Sequence, residues 1–182
     1  SIFNYFFHFS FLEFFLIIIF AFLCDFDVLF SKFALNHNHR MLITHSIIPS
    51  VIVIILGLII RWPALIIGGF SYSFHIILDT FDWGTNFFYF QKKQVGAKLL
   101  ISKDEFNNIS KYLSQFKSSQ SFFDKKYYGN IGCLVIETLI FILMLIFITI
   151  FALNYFLVVL IYFPFLAFHL FRHFRLKKIE SR

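Results

Sequence analysis

Long apolar runs separated by short polar clusters dominate this chain. The runs cover approximately 3–24, 46–61, 63–80, 131–152 and 154–171. A bilayer core about 30 Å thick needs about 20 helical residues, a length that the first and fourth runs reach. Arg61-Trp62-Pro63 separates the second run from the third and suits a tight hairpin turn at the interface. The pattern predicts an all-α, polytopic membrane protein with about five transmembrane helices.

The segment 85–130 is the one substantial polar stretch. Ser102-Lys103-Asp104-Glu105 forms a capping-box motif, and apolar residues follow it at helical spacing as far as Phe116. We expect a short amphipathic helix there, lying on the bilayer or against the hairpin. The predicted organisation is membrane helices in 1–84, a polar cytoplasmic insertion in 85–130, a transmembrane hairpin in 131–171 and a basic, mobile tail in 172–182.

The basic residues predict the orientation. If the chain enters from one side of the membrane and crosses at each run, all 16 Lys and Arg residues except Arg61 fall on the opposite side. The positive-inside rule makes that opposite side the cytoplasm. The sequence therefore predicts a multi-pass protein of the cytoplasmic membrane whose C-terminus faces the cytoplasm.

Composition supports this class and excludes others. The mean hydropathy is +0.80 and only 14% of residues are charged, against about 25% in soluble domains. Attraction to anionic headgroups accounts for the net charge of +6, so no nucleic-acid partner is needed. The only cysteines, Cys24 and Cys133, argue against a disulfide framework and against a cysteine-based zinc site.

Four polar groupings interrupt the apolar pattern, and the predicted threading puts all of them on the cytoplasmic side. Imidazole and carboxylate ligands together suit zinc, manganese or iron, and several of each suit two or more ions. Carboxylates at membrane depth are costly unless they are paired or ligated. The groupings are Asp25 and Asp27, then His39 and Arg40, then Thr44-His45-Ser46, and finally His75, Asp79 and Asp82.

Each grouping also has a structural interpretation. The two aspartates can end a helix at the interface. His39-Arg40 and His45 can bind headgroup phosphates. His75 and Asp79, which are four positions apart in the third run, can share a hydrogen bond. His37 is interpreted as a solvated loop residue. Glu13 lies near mid-membrane in the first run, where it can pair with His8 or face another helix.

The order of these motifs resembles the YdjM-like membrane-bound metal-dependent hydrolases. That family carries a D-x-D at a helix end, an H-R-x-x-x-T-H-S block, and an H-x-x-x-D helix that ends near a glycine. The resemblance covers roughly residues 20–90, and Cys24 stands where the family usually has a proline. The matching residues are Asp25 and Asp27, His39 to Ser46, and His75 and Asp79 followed by Gly84.

The resemblance implies a metal-dependent hydrolase acting on a phosphoester, with a phospholipid as one candidate substrate. Zinc is the first candidate metal, with manganese or iron as alternatives. Arg40 is expected to offset charge on the transferred group, and Asp82 to orient a ligand histidine. The alternatives are a metal-ion transporter and a non-catalytic metal- or lipid-binding membrane protein. The predicted metal ligands are Asp25, Asp27, His39, His45, His75 and Asp79.

Overall fold

The chain folds as helices joined by short turns. A computed structural model describes residues 1–34 and 38–182, and none of these residues belongs to a strand, although Thr85 and Val95 form an isolated antiparallel bridge. The α-helices are α1 (Ile2–Phe7), α2 (Phe11–Phe22), α3 (Ile47–Ile59), α4 (Pro63–Asp82), α5 (Lys103–Asn107), α6 (Ile109–Leu113), α7 (Ser119–Gly129), α8 (Ile131–Phe151) and α9 (Tyr162–Ser181).

Three helical segments in the described part of the chain are long and apolar enough to cross a membrane: Pro63–Asp82, Ile131–Phe151 and Leu153–Ser181. The all-helical class is therefore confirmed, with three segments that could cross a membrane, whereas the count of about five crossings is not confirmed. The first apolar run is broken at His8, whose φ is 49°, so α2 has only 12 residues. The second run forms α3, which has 13.

One compact unit spans Phe7–Leu99 and contains α2, α3 and α4, with α4 packed against both of the others. Ser10 and Glu13 form a capping box at the start of α2, and Trp62 Nε1 donates a 2.7 Å hydrogen bond to Glu13 Oε1. Glu13 is therefore a helix-capping residue beside the α3–α4 turn. The helices α2 and α4 start at the same end of this unit.

Glycines let these helices approach closely. A Cβ atom on Gly57 would lie 2.8 Å from the backbone nitrogen of Ile66, and one on Gly68 would lie 2.6 Å from the Phe20 ring. Small residues at such contacts are typical of packed membrane helices, where close backbone approach replaces the hydrophobic effect. This packing positions the far end of α4, where the polar cluster lies.

We predict that Gly69→Ala destabilises this unit. The new methyl group would lie 2.5 Å from Ile54 Cγ1 and 3.1 Å from the Ser50 carbonyl oxygen. Overpacking costs about 1–3 kcal/mol, more than the about 1 kcal/mol by which alanine improves on glycine within a helix. Thermal unfolding in detergent measures the effect. Gly129→Ala is the control, because nothing lies within 4 Å of that position, and its midpoint should stay equal or rise.

The second compact unit comprises Ser1–Phe6 and Leu100–Arg182. The predicted capping box is present, because Ser102 and Glu105 exchange hydrogen bonds at the start of α5. The predicted single amphipathic helix is two short helices, α5 and α6, interrupted at Asn108. Residues 172–181, predicted to be a mobile tail, form the last turns of α9, where His173 Nδ1 lies 2.7 Å from Asp124 Oδ2.

Candidate metal centre

The polar cluster lies where α2 and α4 end and α3 begins. A 3-10 segment, Leu23–Phe33, continues the chain beyond α2 and carries the D-x-D aspartates. Two further 3-10 turns, His39–Met41 and Ile43–His45, lead into α3, whose N-cap Ser46 accepts a hydrogen bond from the Ile48 backbone. Polar residues thus meet at one end of the three-helix unit.

Residues after α4 hold the His45 turn in place. The backbone N–H of Asn86 donates to the Arg40 carbonyl over 3.1 Å, and Thr85 Oγ1 donates to the His45 carbonyl over 2.6 Å. The Tyr72 hydroxyl donates to the Thr44 carbonyl from within α4. These bonds give the backbone carbonyls of Arg40, Thr44 and His45 hydrogen-bond partners from α4 and the residues that follow it.

His45 is the centre of the cluster and is fully buried. Its Nδ1 lies 3.1 Å from Asp27 Oδ2, and its Nε2 lies 2.5 Å from Asp79 Oδ2. Burial lowers the pKa of His45, but the hydrogen bonds to these two carboxylates outweigh burial and raise it above its ordinary value. The imidazole is therefore held between two carboxylates, an arrangement that favours its protonated form.

Asp27 has one satisfied and one unsatisfied oxygen. Its Oδ2 accepts a 2.7 Å hydrogen bond from Thr44 Oγ1 and also faces His45. Its Oδ1 is buried and has no hydrogen-bond partner among the described residues. An unsatisfied buried carboxylate oxygen is expensive, because the desolvation of its charge is not offset. A cation bound at this oxygen would provide that compensation.

Asp79 is shared by three basic side chains. Arg40 Nη2 lies 3.0 Å from its Oδ1, while Oδ2 faces His45 and lies 3.6 Å from His75 Nε2. Arg40 Nη1 also donates a hydrogen bond to the Asp79 backbone carbonyl, over 3.4 Å. Asp79 therefore ties the His39–Met41 turn and the His45 turn to the end of α4.

His75 connects this centre with the start of the 3-10 segment. Its Nε2 lies 3.4 Å from Asp25 Oδ1, and one of its ring nitrogens lies within 4.8 Å of the buried Cys24 sulfur. The Asp25 side chain is 52% exposed, whereas Cys24 is fully buried. This edge of the cluster is thus open to solvent at the carboxylate and closed at the thiol.

His39 completes the opposite edge. Its ring lies edge-on to His45, with the centroids 5.1 Å apart. Burial, together with the charge on His45, lowers the pKa of His39. The imidazole is therefore neutral at pH 7, which is the form that binds a metal ion.

In the described part of the chain, three sets of side chains can each hold a metal ion, because the donor atoms within a set lie within 4.8 Å of one another. They overlap, because His45 belongs to two sets and Asp25 to two. Together they contain nitrogen, oxygen and sulfur donors. The sets are Asp27, His39 and His45; Asp25, His45 and Asp79; and Cys24, Asp25 and His75.

All six predicted ligands lie in these sets, although they are distant in sequence. Arg40 lies beside them, paired with Asp79. Asp82 is half-buried and has no hydrogen bond or ion pair with the described residues, although its charge interacts with those of Arg40, Asp79 and His75. His37 lies outside the described residues.

Sequence reasoning missed Cys24, Thr44 and Thr85 as parts of this centre. The position of Cys24 directly before the D-x-D was visible, but a single cysteine carries little weight by itself. Thr44 was noted only as part of the Thr-His-Ser grouping, whereas its hydroxyl donates to Asp27. Thr85 follows Gly84, whose φ of +81° turns the chain back over His45. No sequence motif predicts this turn.

A comparison of the chain with protein-family models, curated proteins and solved structures finds no match. The geometry of the cluster therefore carries the functional argument.

Proposed function

We propose that this protein is a membrane-bound, metal-dependent hydrolase that cleaves a phosphoester at the membrane interface. The observation that carries the proposal is the convergence of four His and Asp motifs, separated by up to 54 positions between Asp25 and Asp79, at one end of a helical unit. The order of the motifs in this chain resembles their order in the YdjM-like family, and this resemblance supports the same conclusion. The buried, unpartnered Asp27 Oδ1 supports a cation rather than a purely hydrogen-bonded network.

The residues fit a transition-metal ion. Neutral imidazole and carboxylate are the usual ligands of zinc and are also used by manganese and iron. Asp27, His39 and His45 would form one set of ligands, and Asp25, His45 and Asp79 another. When bound, such an ion lowers the pKa of a coordinated water and polarises a phosphoryl oxygen.

Within this proposal, Arg40 binds the phosphoryl group. A guanidinium has five N–H donors, and the two contacts with Asp79 leave others available. Asp79 holds Arg40 at the edge of the cluster, and Thr44 orients the Asp27 carboxylate through its hydroxyl. Planar, bidentate geometry makes arginine well suited to phosphate oxygens.

The proposed setting is the cytoplasmic membrane, with the cluster and the C-terminus facing the cytoplasm. The distribution of Lys and Arg supports this orientation. Five crossings remain part of the proposal. At 1.5 Å per residue, α2 and α3 are about 18 Å and about 20 Å long, so the bilayer around them would have to thin.

A metal-ion transporter is the less favoured alternative. Transport requires polar sites along the full depth of the membrane. In α2, α3 and α4 the Asp, Glu, His, Lys and Arg residues are Glu13 at one end and His75, Asp79 and Asp82 towards the other, with none between. Glu13 is moreover engaged by Ser10 and Trp62. This distribution favours chemistry at one surface over passage through the unit.

The test is hydrolysis by the purified protein reconstituted in vesicles of phosphatidylcholine and phosphatidylglycerol. We expect release of water-soluble phosphorylated headgroups that a chelator abolishes and added zinc or manganese restores. p-Nitrophenyl phosphate serves as a soluble second probe. His45→Ala should be inactive, and His169→Ala, which changes an exposed histidine of α9, should retain the activity.

Three results would contradict the proposal. Protein that binds metal but hydrolyses neither probe, and that carries zinc into sealed vesicles, would be a transporter. Protein that binds no metal would instead be a structural or lipid-binding protein. Hydrolysis that survives in His45→Ala would place the active centre elsewhere.

A further inference from the structure

We propose that the Cys24 thiolate is a metal ligand, acting with Asp25 and His75 in a site selective for a thiophilic divalent ion such as zinc. This inference rests on the proposed function and deepens it by naming the class of metal. It also gives a role to a residue whose chemistry the sequence argued against.

The donor atoms of the three side chains already lie together. One ligand atom of each lies within 4.8 Å of the others, and His75 Nε2 is 3.4 Å from Asp25 Oδ1. Tetrahedral zinc with ligands at about 2.0–2.3 Å needs its donors to be roughly 3.5 Å apart. The Asp25 side chain is 52% exposed, so its carboxylate can move until the donor atoms reach this separation.

The thiol lies at the boundary between the apolar core and the polar cluster. Tyr72 and Ile76 pack with Cys24 in a buried cluster, while a donor nitrogen of His75 lies within 4.8 Å of the sulfur. Any small apolar side chain would satisfy the packing alone. A sulfur that is fully buried and lies beside an imidazole and a carboxylate has the position that a ligand requires.

The sulfur also changes which ion the site prefers. Thiolate ligands select zinc and other softer ions, whereas carboxylate and water suit magnesium, calcium and manganese. The two other sets contain only nitrogen and oxygen donors. Metal binding requires the thiolate, so the thiol proton passes to solvent as the ion enters.

Cobalt(II) is the probe, because thiolate coordination gives it a sulfur-to-metal charge-transfer absorption that nitrogen and oxygen ligands do not. The full chain is compared with Cys24→Ser and with Cys133→Ser, which changes the only other cysteine. We expect the band in the unmodified protein and in Cys133→Ser, and its complete loss in Cys24→Ser. Cobalt affinity should fall at least about tenfold in Cys24→Ser, since even residues that only orient ligands cost 10–100-fold.

A second measurement does not depend on the folding of Cys24→Ser. In Cys133→Ser, Cys24 is the only cysteine, so X-ray absorption of bound zinc should reveal a sulfur neighbour at about 2.3 Å. Nitrogen and oxygen neighbours alone would overturn the inference.

The outcomes separate this inference from the proposed function. Stoichiometric metal without a charge-transfer band, or a band that Cys133→Ser removes, refutes the role of Cys24 and leaves the His and Asp centre standing. No bound metal in the unmodified protein refutes both. If the protein binds metal through sulfur but hydrolyses no phosphoester, Cys24 is supported as a ligand and the proposed hydrolase function is refuted.

Discussion

Replacing Asp79 with alanine is expected to remove bound metal and to destabilise the Phe7–Leu99 unit. Arg40, His45 and His75 would all lose the carboxylate that they share, and Arg40 would be left largely buried without its counter-ion. Breaking a buried pair by removing one partner costs about 3–5 kcal/mol. Chemical unfolding of the purified protein in detergent measures the stability, and elemental analysis measures the metal.

Asp82→Ala is the matched control for this prediction. It removes a carboxylate three positions further along the same helix, where no hydrogen bond or ion pair with a described residue is lost. We expect retained metal and a stability change under about 1 kcal/mol. If Asp82→Ala loses as much metal as Asp79→Ala, then Asp82 orients a ligand as the sequence predicted, and the interpretation of its position is wrong.

Replacing His45 with alanine is expected to weaken metal binding as severely as replacing Asp79 does. His45 belongs to two of the three donor sets, and it separates the buried carboxylates of Asp27 and Asp79. Without its imidazole, two like charges would face each other across a cavity. In a zinc titration of the purified protein, we expect the metal affinity to fall at least about tenfold, since even residues that only orient ligands cost 10–100-fold.

His169→Ala is the corresponding histidine control, and its metal content should equal that of the unmodified protein. Membrane insertion should survive in His45→Ala, because His45 precedes α3 and lies outside the apolar helices. Alkaline extraction of membranes checks this point. Full metal occupancy in a well-inserted His45→Ala protein would refute the assignment of His45 as a ligand.

Much of the scaffold around this centre was predictable from local pattern. The capping boxes at Ser10 and Ser102 form because a serine followed three positions later by glutamate satisfies two exposed N–H groups wherever it occurs. Pro63 begins α4 for a similarly local reason. The interruption of the first run near His8 was not predictable from hydropathy, because its apolar residues suit a continuous helix equally well.

The convergence of the Asp and His motifs was predictable, since alternate crossing of apolar runs brings these motifs to one side. Their individual contacts were not. Arg40 was expected to offset charge on the transferred group, and nothing in the sequence fixes which aspartate its guanidinium also contacts, which is Asp79 at both the side chain and the backbone. Loop and turn geometry determines such pairings, and it depends on long-range bonds such as that from Thr85 to the His45 carbonyl.

The amino-acid sequence by itself determined the all-helical class, the segments apolar enough to cross a membrane, and helix starts such as those at Pro63 and after Ser102. Those properties follow from apolar length and local hydrogen bonding, which act within a few residues. Only the tertiary structure decided that Asp27 keeps an unpartnered oxygen, that His45 lies between two carboxylates, and that the Cys24 sulfur lies within 4.8 Å of a His75 ring nitrogen. Such contacts depend on ångström-scale placement of distant segments, which packing across the helices sets.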